Sequence, residues 1–192
     1  ANKNETNRLE APIVVHVMTP KLFENTNSVC LAQGLSFQPG LRVETNCQNC
    51  GFQQVRINGL DGPYTQLLLD GKALFSSLNG VYGIEQIPTG MIERVEVMRG
   101  GGSALYGANA IGGTVNIITK EPLNNLFMIS HNLTAIGNSA YDNTTSLNTS
   151  LVNSQRDAGI YLFGTSRHRQ HYDHDGDHFS EIGKLKLTTL GF

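Results

Sequence analysis

The pattern of hydrophobic and polar residues changes near Pro122. Before that residue, short apolar runs rich in β-branched side chains are separated by helix-start signals, as at Thr19-Pro20, where an N-cap residue precedes a proline. The runs predict strands at residues 13–17, 55–57, 66–69, 94–98 and 114–119. Short helices or helical turns are predicted after Thr19, after Ser28 as an N-cap, and at residues 88–91 and 103–106. We therefore expect an α+β unit, in which a small mixed β-sheet carries short helices.

After Pro122 the helix signals disappear and the hydrophobic period becomes two. Four segments of about ten residues alternate in this way, the length that a tilted strand needs to cross a bilayer. One face of the first segment is apolar except at His131: Phe127, Ile129, Leu133 and Ala135. The connections are uneven, since residues 153–157 form a tight turn and residues 167–180 a long polar loop. Such alternation of short and long connections is typical of outer-membrane β-barrels.

Four antiparallel strands cannot close a barrel, because the smallest known barrels have about eight. The second part of the chain is therefore predicted either to pack its sheet on the first part or to be a fragment of a larger barrel. An open sheet with one apolar side would leave bare edges and bare apolar surface, so we favour the fragment.

Composition excludes some classes of function. The 192 residues hold 14 Lys and Arg against 16 Asp and Glu, and a net charge of -2 gives no field that would recruit nucleic acid. Charged residues make up 16%, below the roughly 25% of typical soluble domains, and 21 glycines with 18 asparagines fill part of the difference. No run of about 18 apolar residues predicts a transmembrane helix, and residues 1–5 lack the apolar run of a signal peptide. The composition favours a β-rich chain with many turns.

The three cysteines are compatible with several roles. Cys47 and Cys50 form a C-x-x-C motif in a polar loop, and Cys30 has no sequence partner. The motif is compatible with a disulfide between Cys47 and Cys50, with a pair of free thiols, with a ligand or metal contact, or with redox catalysis.

The glycine-rich segment 99–107 matches none of the enzymatic glycine motifs. It lacks the Gly-Lys-Ser/Thr of a phosphate loop and the last glycine of G-x-G-x-x-G, and Leu105 replaces a glycine of G-x-S-x-G. No Ser-His-Asp order and no paired carboxylates indicate acid–base work. We therefore predict that the protein is not an enzyme.

A series of short motifs resembles the plug domain of TonB-dependent outer-membrane receptors. The motifs follow one another in the family's order: VRING at 55–59, LLLDG at 67–71, IP at 87–88, IERVEV at 92–97, RGGGSALYG at 99–107 and AIGGTVNIITK at 110–120. The resemblance covers residues of about 11 to 122, and the remaining residues are similar to the first strands of the receptor's barrel. It implies a plug domain at residues 1–122, followed at 123–192 by about four antiparallel strands of a truncated transmembrane β-barrel.

The resemblance implies transport rather than catalysis. Receptors of this family lie in the outer membrane of Gram-negative cells, and the plug gates the barrel lumen. The expected cargo is a scarce nutrient, an iron chelate (siderophore) or haem, and no cofactor is required. The implied partners are the nutrient, the outer membrane and the TonB energy-transducing complex, although the box that TonB pulls is not recognisable in residues 1–11. Alternatives are uptake of cobalamin or another metal complex, and a free-standing periplasmic plug-like binding module.

The family's layout places the ligand at two apical plug loops, residues 44–52 and 73–83, which mix hydroxyls, amides and aromatic rings. The candidate ligand-binding residues are Asn46, Cys47, Gln48, Asn49, Cys50, Phe52, Phe75, Ser76, Ser77, Asn79 and Tyr82. The alternative is that these loops serve only as lids.

Charged strand residues form a second candidate group. They are expected to link plug and barrel in a network, with solvated strand faces as the alternative: Arg56, Glu93, Arg94, Glu96 and Arg99. The glycines at 100–102 and 112–113 are assigned to close backbone packing.

A loop rich in histidine and aspartate follows the third predicted barrel strand, and strand counting places it outside the cell. Its imidazoles suit capture of a metal ion or haem, whereas residues 173–177 copy the start of an EF-hand calcium loop. In that match His178 replaces the turn glycine and Lys184 replaces the last glutamate, so Glu181 could substitute only from a different geometry. The candidate metal ligands are His168, His171, His174, His178, Asp173, Asp175 and Asp177. The alternative is a loop that is charged because it faces water.

Overall fold

The computed structural model describes residues 14–47, 52–74, 83–100 and 103–192. The strands are β1 (Val15–Met18), β2 (Leu41–Cys47), β3 (Phe52–Ile57), β4 (Thr65–Leu69), β5 (Lys72–Ala73), β6 (Ile92–Arg99), β7 (Gly113–Thr119), β8 (Leu126–Ile136), β9 (Ala140–Val152), β10 (Gly159–Arg169) and β11 (Leu185–Gly191). The helices are α1 (Pro20–Asn25), α2 (Leu31–Leu35) and α3 (Ser103–Tyr106), with 3-10 turns at Gly62–Tyr64, Thr89–Met91 and Ala108–Ala110. Within these ranges, no helix has the length and apolar character needed to cross a membrane.

The N-terminal unit, which holds the elements from β1 to β7, is built on a five-stranded sheet in the order β1-β6-β7-β4-β5. Strand β4 runs parallel to β7, and the other neighbours in this sheet are antiparallel. The β4–β5 hairpin turns at Asp70 (φ 48°) and Gly71 (φ 76°), the paired positive φ angles of a type I′ turn. The predicted small mixed sheet with short helices is confirmed.

The hydrophobic core of the N-terminal unit lies between this sheet, the β2–β3 hairpin and the first two helices. Leu31 and Leu35 are fully buried, because their spacing of four places them on the same face of α2. Ile57 of β3 and Ile117 of β7 are also fully buried in the same cluster. Each such side chain contributes about 1.5–3 kcal/mol of burial energy, which fixes the sheet that positions the site.

Helix α2 begins differently from the prediction. Its N-cap is Cys30 and not Ser28, and Cys30 makes no capping hydrogen bond through its side chain. The backbone N–H of Leu31 instead donates to the carbonyl of Ile87 (2.9 Å). A distant segment therefore satisfies the helix terminus, which removes the need for a hydroxyl cap.

The strands that follow Pro122 form a separate antiparallel C-terminal sheet in the order β11-β10-β9-β8. Each strand pairs with its neighbour in sequence, so the sheet is a meander. Strands β8, β9 and β10 hold 11, 13 and 11 residues, enough for a tilted strand to cross a bilayer. The predicted succession of antiparallel barrel-type strands is confirmed.

Candidate functional site

The C-terminal sheet turns a polar face toward the N-terminal unit and an apolar face outward. The buried, inward-facing residues of β9 and β10 are mostly polar: Asp142, Thr144, Asn148, Ser150, Tyr161, Thr165 and Arg167. The outward positions of β8, β9 and β10 carry exposed apolar side chains: Phe127, Ile129, Leu133, Leu147, Leu151, Ile160 and Leu162. A sheet that faces water has the opposite arrangement, whereas an apolar outside and a polar inside are typical of a transmembrane barrel.

One segment of the N-terminal unit, the strap (residues 83–91), lies against the polar face of the C-terminal sheet. The hydroxyl of Tyr161 donates a hydrogen bond to the carbonyl of Gly90 (2.7 Å), and the hydroxyl of Thr189 donates to the carbonyl of Gln86 (3.3 Å). A Cβ at Gly90 would overlap the side chain of Asn148 in β9. The strap backbone therefore approaches the sheet so closely that a larger residue at position 90 would have to displace the buried amide of Asn148.

An ion cluster joins the strap to the C-terminal sheet near the end of β10. Arg167 donates from Nε (3.0 Å) and Nη2 (2.6 Å) to the two carboxylate oxygens of Asp142 in β9. Its Nη1 lies 3.2 Å from Oε1 of Glu85 in the strap, and Nη1 of Arg169 lies 2.9 Å from the same oxygen. Arg167 is only 2% exposed, so the cluster is shielded from water. Two guanidinium groups and two carboxylates balance its charge, as a buried cluster requires.

Cys30 lies on the N-terminal side of this ion cluster, with its Sγ 3.6 Å from Nη1 of Arg167. It is a free cysteine and is 3% exposed. Burial raises the pKa of the Cys30 thiol, and the neighbouring Arg167 opposes this increase without reversing it. The thiol is therefore protonated and unreactive for as long as it stays covered.

Sequence reasoning missed this ion cluster, because its members come from three distant parts of the chain. A signal for it was present in the strands themselves. Asp142 lies in β9 and Arg167 in β10, which extends through Arg169 and so includes the first residues of the loop predicted at 167–180. A charge in such a strand is costly unless it faces the interior and has a partner. In the structure both side chains are buried on the face that lies against the N-terminal unit.

For four of the five residues predicted to link plug and barrel, the structure shows hydrogen bonds or ion pairs with residues of the N-terminal unit. Nε of Arg56 lies 2.6 Å from Oε2 of Glu44. Nε of Arg94 donates to Oε1 of Glu96 (2.9 Å). The role of Arg56, Arg94 and Glu96 in a network with the barrel stays a prediction.

The other two members of the predicted network are also placed on the N-terminal unit. Arg99 donates a hydrogen bond to the carbonyl of Pro39, at the turn that precedes β2. Glu93 is exposed on β6. Their contact with a barrel wall likewise stays a prediction.

The predicted ligand-binding residues lie wholly or partly outside the described residues. The structure describes the backbone alone at Asn46, Cys47 and Phe52. The remaining candidates lie outside it altogether: Gln48, Asn49, Cys50, Phe75, Ser76, Ser77, Asn79 and Tyr82. Their part in ligand binding, and the disulfide between Cys47 and Cys50, stay predictions.

The loop between β10 and β11 brings four carboxylates together. One oxygen each from Asp173, Asp175, Asp177 and Glu181 lies within 4.8 Å of the others. The backbone N–H of His178 donates to Asp173 (2.9 Å), and the φ of His178 is 73°. His178 therefore adopts the left-handed conformation of the glycine that it replaces in the calcium-loop pattern.

The histidines of the same loop are arranged differently. Within residues 103–192, none of them belongs to the cluster of four carboxylates. Nδ1 of His174 lies 3.3 Å from the Tyr172 hydroxyl. His168 and His171 instead line a cavity of about 480 Å³ together with Lys184 and Tyr172. The described geometry thus favours an oxygen-ligand site over an imidazole site.

A cavity of about 260 Å³ with a mixed polar and apolar lining lies between part of the N-terminal unit and the C-terminal sheet. Its lining includes Ser28 and Thr89 on one side and Ser130, Asn132 and Ser146 on the other.

These features define a class of protein, in which a small α+β plug is docked on the polar inner face of a membrane β-barrel. The TonB-dependent receptor plug domain family matches residues 7–114, more than half of the chain, and the chain belongs to this family. The resemblance deduced from the motifs is confirmed. The protein is an outer-membrane receptor component with its plug in the barrel, and its relatives are receptors and transporters, not enzymes.

Curated relatives include two vitamin B12 transporters, both named BtuB. The protein of Vibrio vulnificus (strain CMCP6) is 35% identical over 120 residues, which are 60% of this chain and 20% of that protein. The protein of Vibrio cholerae serotype O1 (strain M66-2) is 29% identical over 120 residues, with 62% and 20% coverage. The chain thus spans about a fifth of the length of the curated relatives that it matches.

Similar solved structures cover more of this chain. The siderophore receptor PirA from Acinetobacter baumannii superposes with a TM-score of 0.69 at 25% identity, over 85% of this chain and 26% of that one. A mutant of the ferric enterobactin receptor PfeA from Pseudomonas aeruginosa gives a TM-score of 0.67 at 26% identity, over 89% and 26%. The superposition therefore extends through both the plug and the first barrel strands.

Proposed function

We propose that this chain is the gating part of a receptor that takes up an iron chelate of the siderophore class across the outer membrane, with energy from the TonB complex. The observation that supports this proposal is the docking of the plug, through the strap, on the polar face of a sheet whose other face is apolar. This arrangement suits a barrel that surrounds a removable plug and that passes a polar cargo along a polar inner wall.

Two findings bear on the cargo. The similar structures that extend over most of this chain are those of a siderophore receptor and a ferric enterobactin receptor, which favours an iron chelate. The 35% identity to a vitamin B12 transporter makes cobalamin the second candidate. Uptake of haem stays a prediction from the sequence. The free-standing periplasmic module is disfavoured, because the C-terminal sheet turns bare apolar side chains outward.

We expect the full-length receptor that contains this chain to give saturable uptake of a ferric siderophore. The measurement is accumulation of ⁵⁵Fe from ferric enterobactin in a strain that lacks its own iron-chelate receptors, with competition by unlabelled chelates, haemin and cyanocobalamin. Uptake should fall to the level of the vector control when the TonB protein is deleted, because the plug then receives no energy input.

The competition pattern separates the alternatives. Accumulation of labelled cyanocobalamin without accumulation of iron from enterobactin or other ferric chelates would replace the siderophore assignment with the cobalamin one. Uptake that persists at the same rate in the strain without TonB would contradict the proposed energy coupling for either cargo.

We also propose that the carboxylate group of the loop between β10 and β11 binds Ca²⁺. Each of the four carboxylates accepts at least one backbone N–H, which offsets part of their mutual repulsion, and a cation among the four oxygens would offset the rest. In the full-length receptor we expect a dissociation constant of about 10⁻⁴–10⁻³ M, the range of extracellular calcium modules. Replacing Asp175 with asparagine should weaken binding about tenfold, since one charged ligand is lost.

The measurement is titration of the full-length receptor with Ca²⁺ in a calorimeter. A matched control is Asp157→Asn, which removes an exposed carboxylate from the tight turn between β9 and β10. Equal calcium affinity in wild type, Asp175→Asn and Asp157→Asn would show that the carboxylate group is merely solvated.

A further inference from the structure

We propose that Arg167 and Arg169 form a binding seat for one anionic group on the inner face of the C-terminal sheet. Glu85 of the strap occupies this seat in the docked state, and an anionic group of the cargo takes its place when the strap moves away. The identity of the replacing anion as cargo rests on the proposed function, whereas the seat itself rests on the geometry of the ion cluster.

The seat is defined by convergence of two guanidinium groups on one atom. Arg167 and Arg169 are two residues apart on β10, so both side chains project from its inward face. Nη1 of Arg167 (3.2 Å) and Nη1 of Arg169 (2.9 Å) both contact Oε1 of Glu85. Two fixed cationic donors aimed at a single oxygen are the arrangement with which proteins recognise carboxylates and phosphates.

The C-terminal sheet carries three of the four charged groups of the ion cluster, and the strap carries the fourth. Asp142 belongs to β9 and holds the other edge of Arg167 through Nε and Nη2, so it stays with the sheet. Glu85 belongs to the strap and leaves with it. The two arginines and Asp142 together then carry a net charge of one positive unit, and two Nη1 groups lose their acceptor.

Removal of Glu85 is therefore costly unless another anion replaces it. Arg167 is 2% exposed, and a buried guanidinium without a full set of acceptors is strongly penalised. Cys30 is the other described neighbour of Nη1, and a neutral thiol is a weak acceptor that cannot balance the charge. An anionic cargo that enters the seat offsets this cost, which couples cargo binding to movement of the strap.

Glu85 is tied to the N-terminal unit and cannot leave alone without deforming the strap. The backbone N–H of Ala32 in α2 donates to the carbonyl of Ile84 (3.2 Å), directly before Glu85. Ile84 itself is fully buried in the core of the N-terminal unit. Exchange at the seat therefore reports the separation of the strap from the sheet.

The seat is tested by chemical rescue in the full-length receptor, with acetate as the probe. Glu85→Ala removes the resident carboxylate, and we expect alkylation of Cys30 by N-ethylmaleimide to become about tenfold faster or more, because the buried guanidinium has lost its partner. Sodium acetate at neutral pH should restore slow alkylation, whereas sodium chloride at the same ionic strength should not. The labelling rate is read from the mass of the peptide that contains Cys30.

Three variants make the result specific. Glu85→Ala combined with Arg169→Gln should lose the acetate effect, since one arm of the seat is absent. Arg42→Gln, which removes an exposed arginine 3.1 Å from Glu44 and remote from the seat, should behave as wild type. Glu85→Ser also removes the carboxylate and leaves the seat open, and it serves if the alanine variant does not fold. Equal effects of acetate and chloride in both Glu85 variants would overturn the proposal.

Uptake measurements test the seat and the proposed receptor function independently. Arg169→Gln should lower the uptake of ferric enterobactin, an anionic chelate, at least several-fold more than the uptake of cyanocobalamin, which has no net charge. If acetate slows the alkylation of Cys30 but the receptor takes up no anionic chelate, the seat is supported and the proposed cargo is wrong. If Arg169→Gln takes up the chelate normally and acetate does not slow the alkylation of Cys30 in Glu85→Ala, the proposed seat is wrong but the receptor function is still supported.

Discussion

Replacing Asp142 with leucine is expected to destabilise the docked plug by about 3 to 5 kcal/mol, the cost of leaving one partner of a buried ion pair alone. Asp142 accepts two hydrogen bonds within 3.0 Å from Arg167, which is 2% exposed. Without it, two guanidinium groups share the single carboxylate of Glu85. Arg167→Met should cost a similar amount, because it leaves Asp142 buried without its cation.

The double variant Asp142→Leu/Arg167→Met separates charge balance from packing. It leaves Glu85 paired with Arg169 and no surplus charge, so it should be less destabilised than either single variant. Stability is measured by urea titration of the full-length receptor, with alkylation of Cys30 as the report of plug unfolding.

The control for this cycle is Arg42→Gln, which removes an exposed guanidinium. Its loss should cost less than about 1 kcal/mol, because Arg56 remains paired with Glu44. A double variant whose cost equals the sum of the two single costs would contradict the account of a charge-balanced cluster.

Much of the N-terminal unit could be predicted from sequence, because its elements are specified locally. The Asp70-Gly71 pair specifies the type I′ turn at the end of β4, and both residues have the positive φ angles that this turn requires. The β-branched run at 114–119 corresponds to β7, the central strand that pairs with β6 and β4. The order of the strands in the sheet, with β4 parallel to β7, carries no comparable local signal.

The ion cluster and the start of α2 could not be predicted in the same way, because both depend on contacts between distant segments. Ser28 has the chemistry of an N-cap, but the strap supplies a backbone acceptor to Leu31 instead. Glu85 belongs to no helix or strand, so nothing nearby in the sequence indicates its two arginine partners.

The alternation of the last strands gave the two faces of the C-terminal sheet but not their orientation. The sequence shows that Phe127 and Ile129 share a face. Only the contacts of the strap with Tyr161, Arg167 and Thr189 identify the polar face as the inner one. The membrane-facing side then follows, because the exposed apolar side chains lie on the opposite face.

Substitution of Gly113 by alanine is expected to destabilise the plug by about 4 kcal/mol, the second of the two largest effects. Gly113 has a φ of 143°, a conformation that costs an L-residue about 1–3 kcal/mol. A Cβ at this position would also overlap the carbonyl oxygen of Met98, and such overpacking costs about another 1–3 kcal/mol. The oxygen is backbone within β6, so it cannot move without disturbing the pairing of Arg99 with Gly113.

The matched control is Gly71→Ala, because Gly71 also has a positive φ (76°) but has nothing within 4 Å of an added Cβ. That variant should show the backbone strain alone, about 1 kcal/mol. Both are measured by urea titration with Cys30 alkylation as the readout. Equal losses in the two variants would mean that β6 shifts to accommodate the new methyl group. A loss several kcal/mol larger at Gly113 would show that the β6–β7 pairing is rigid.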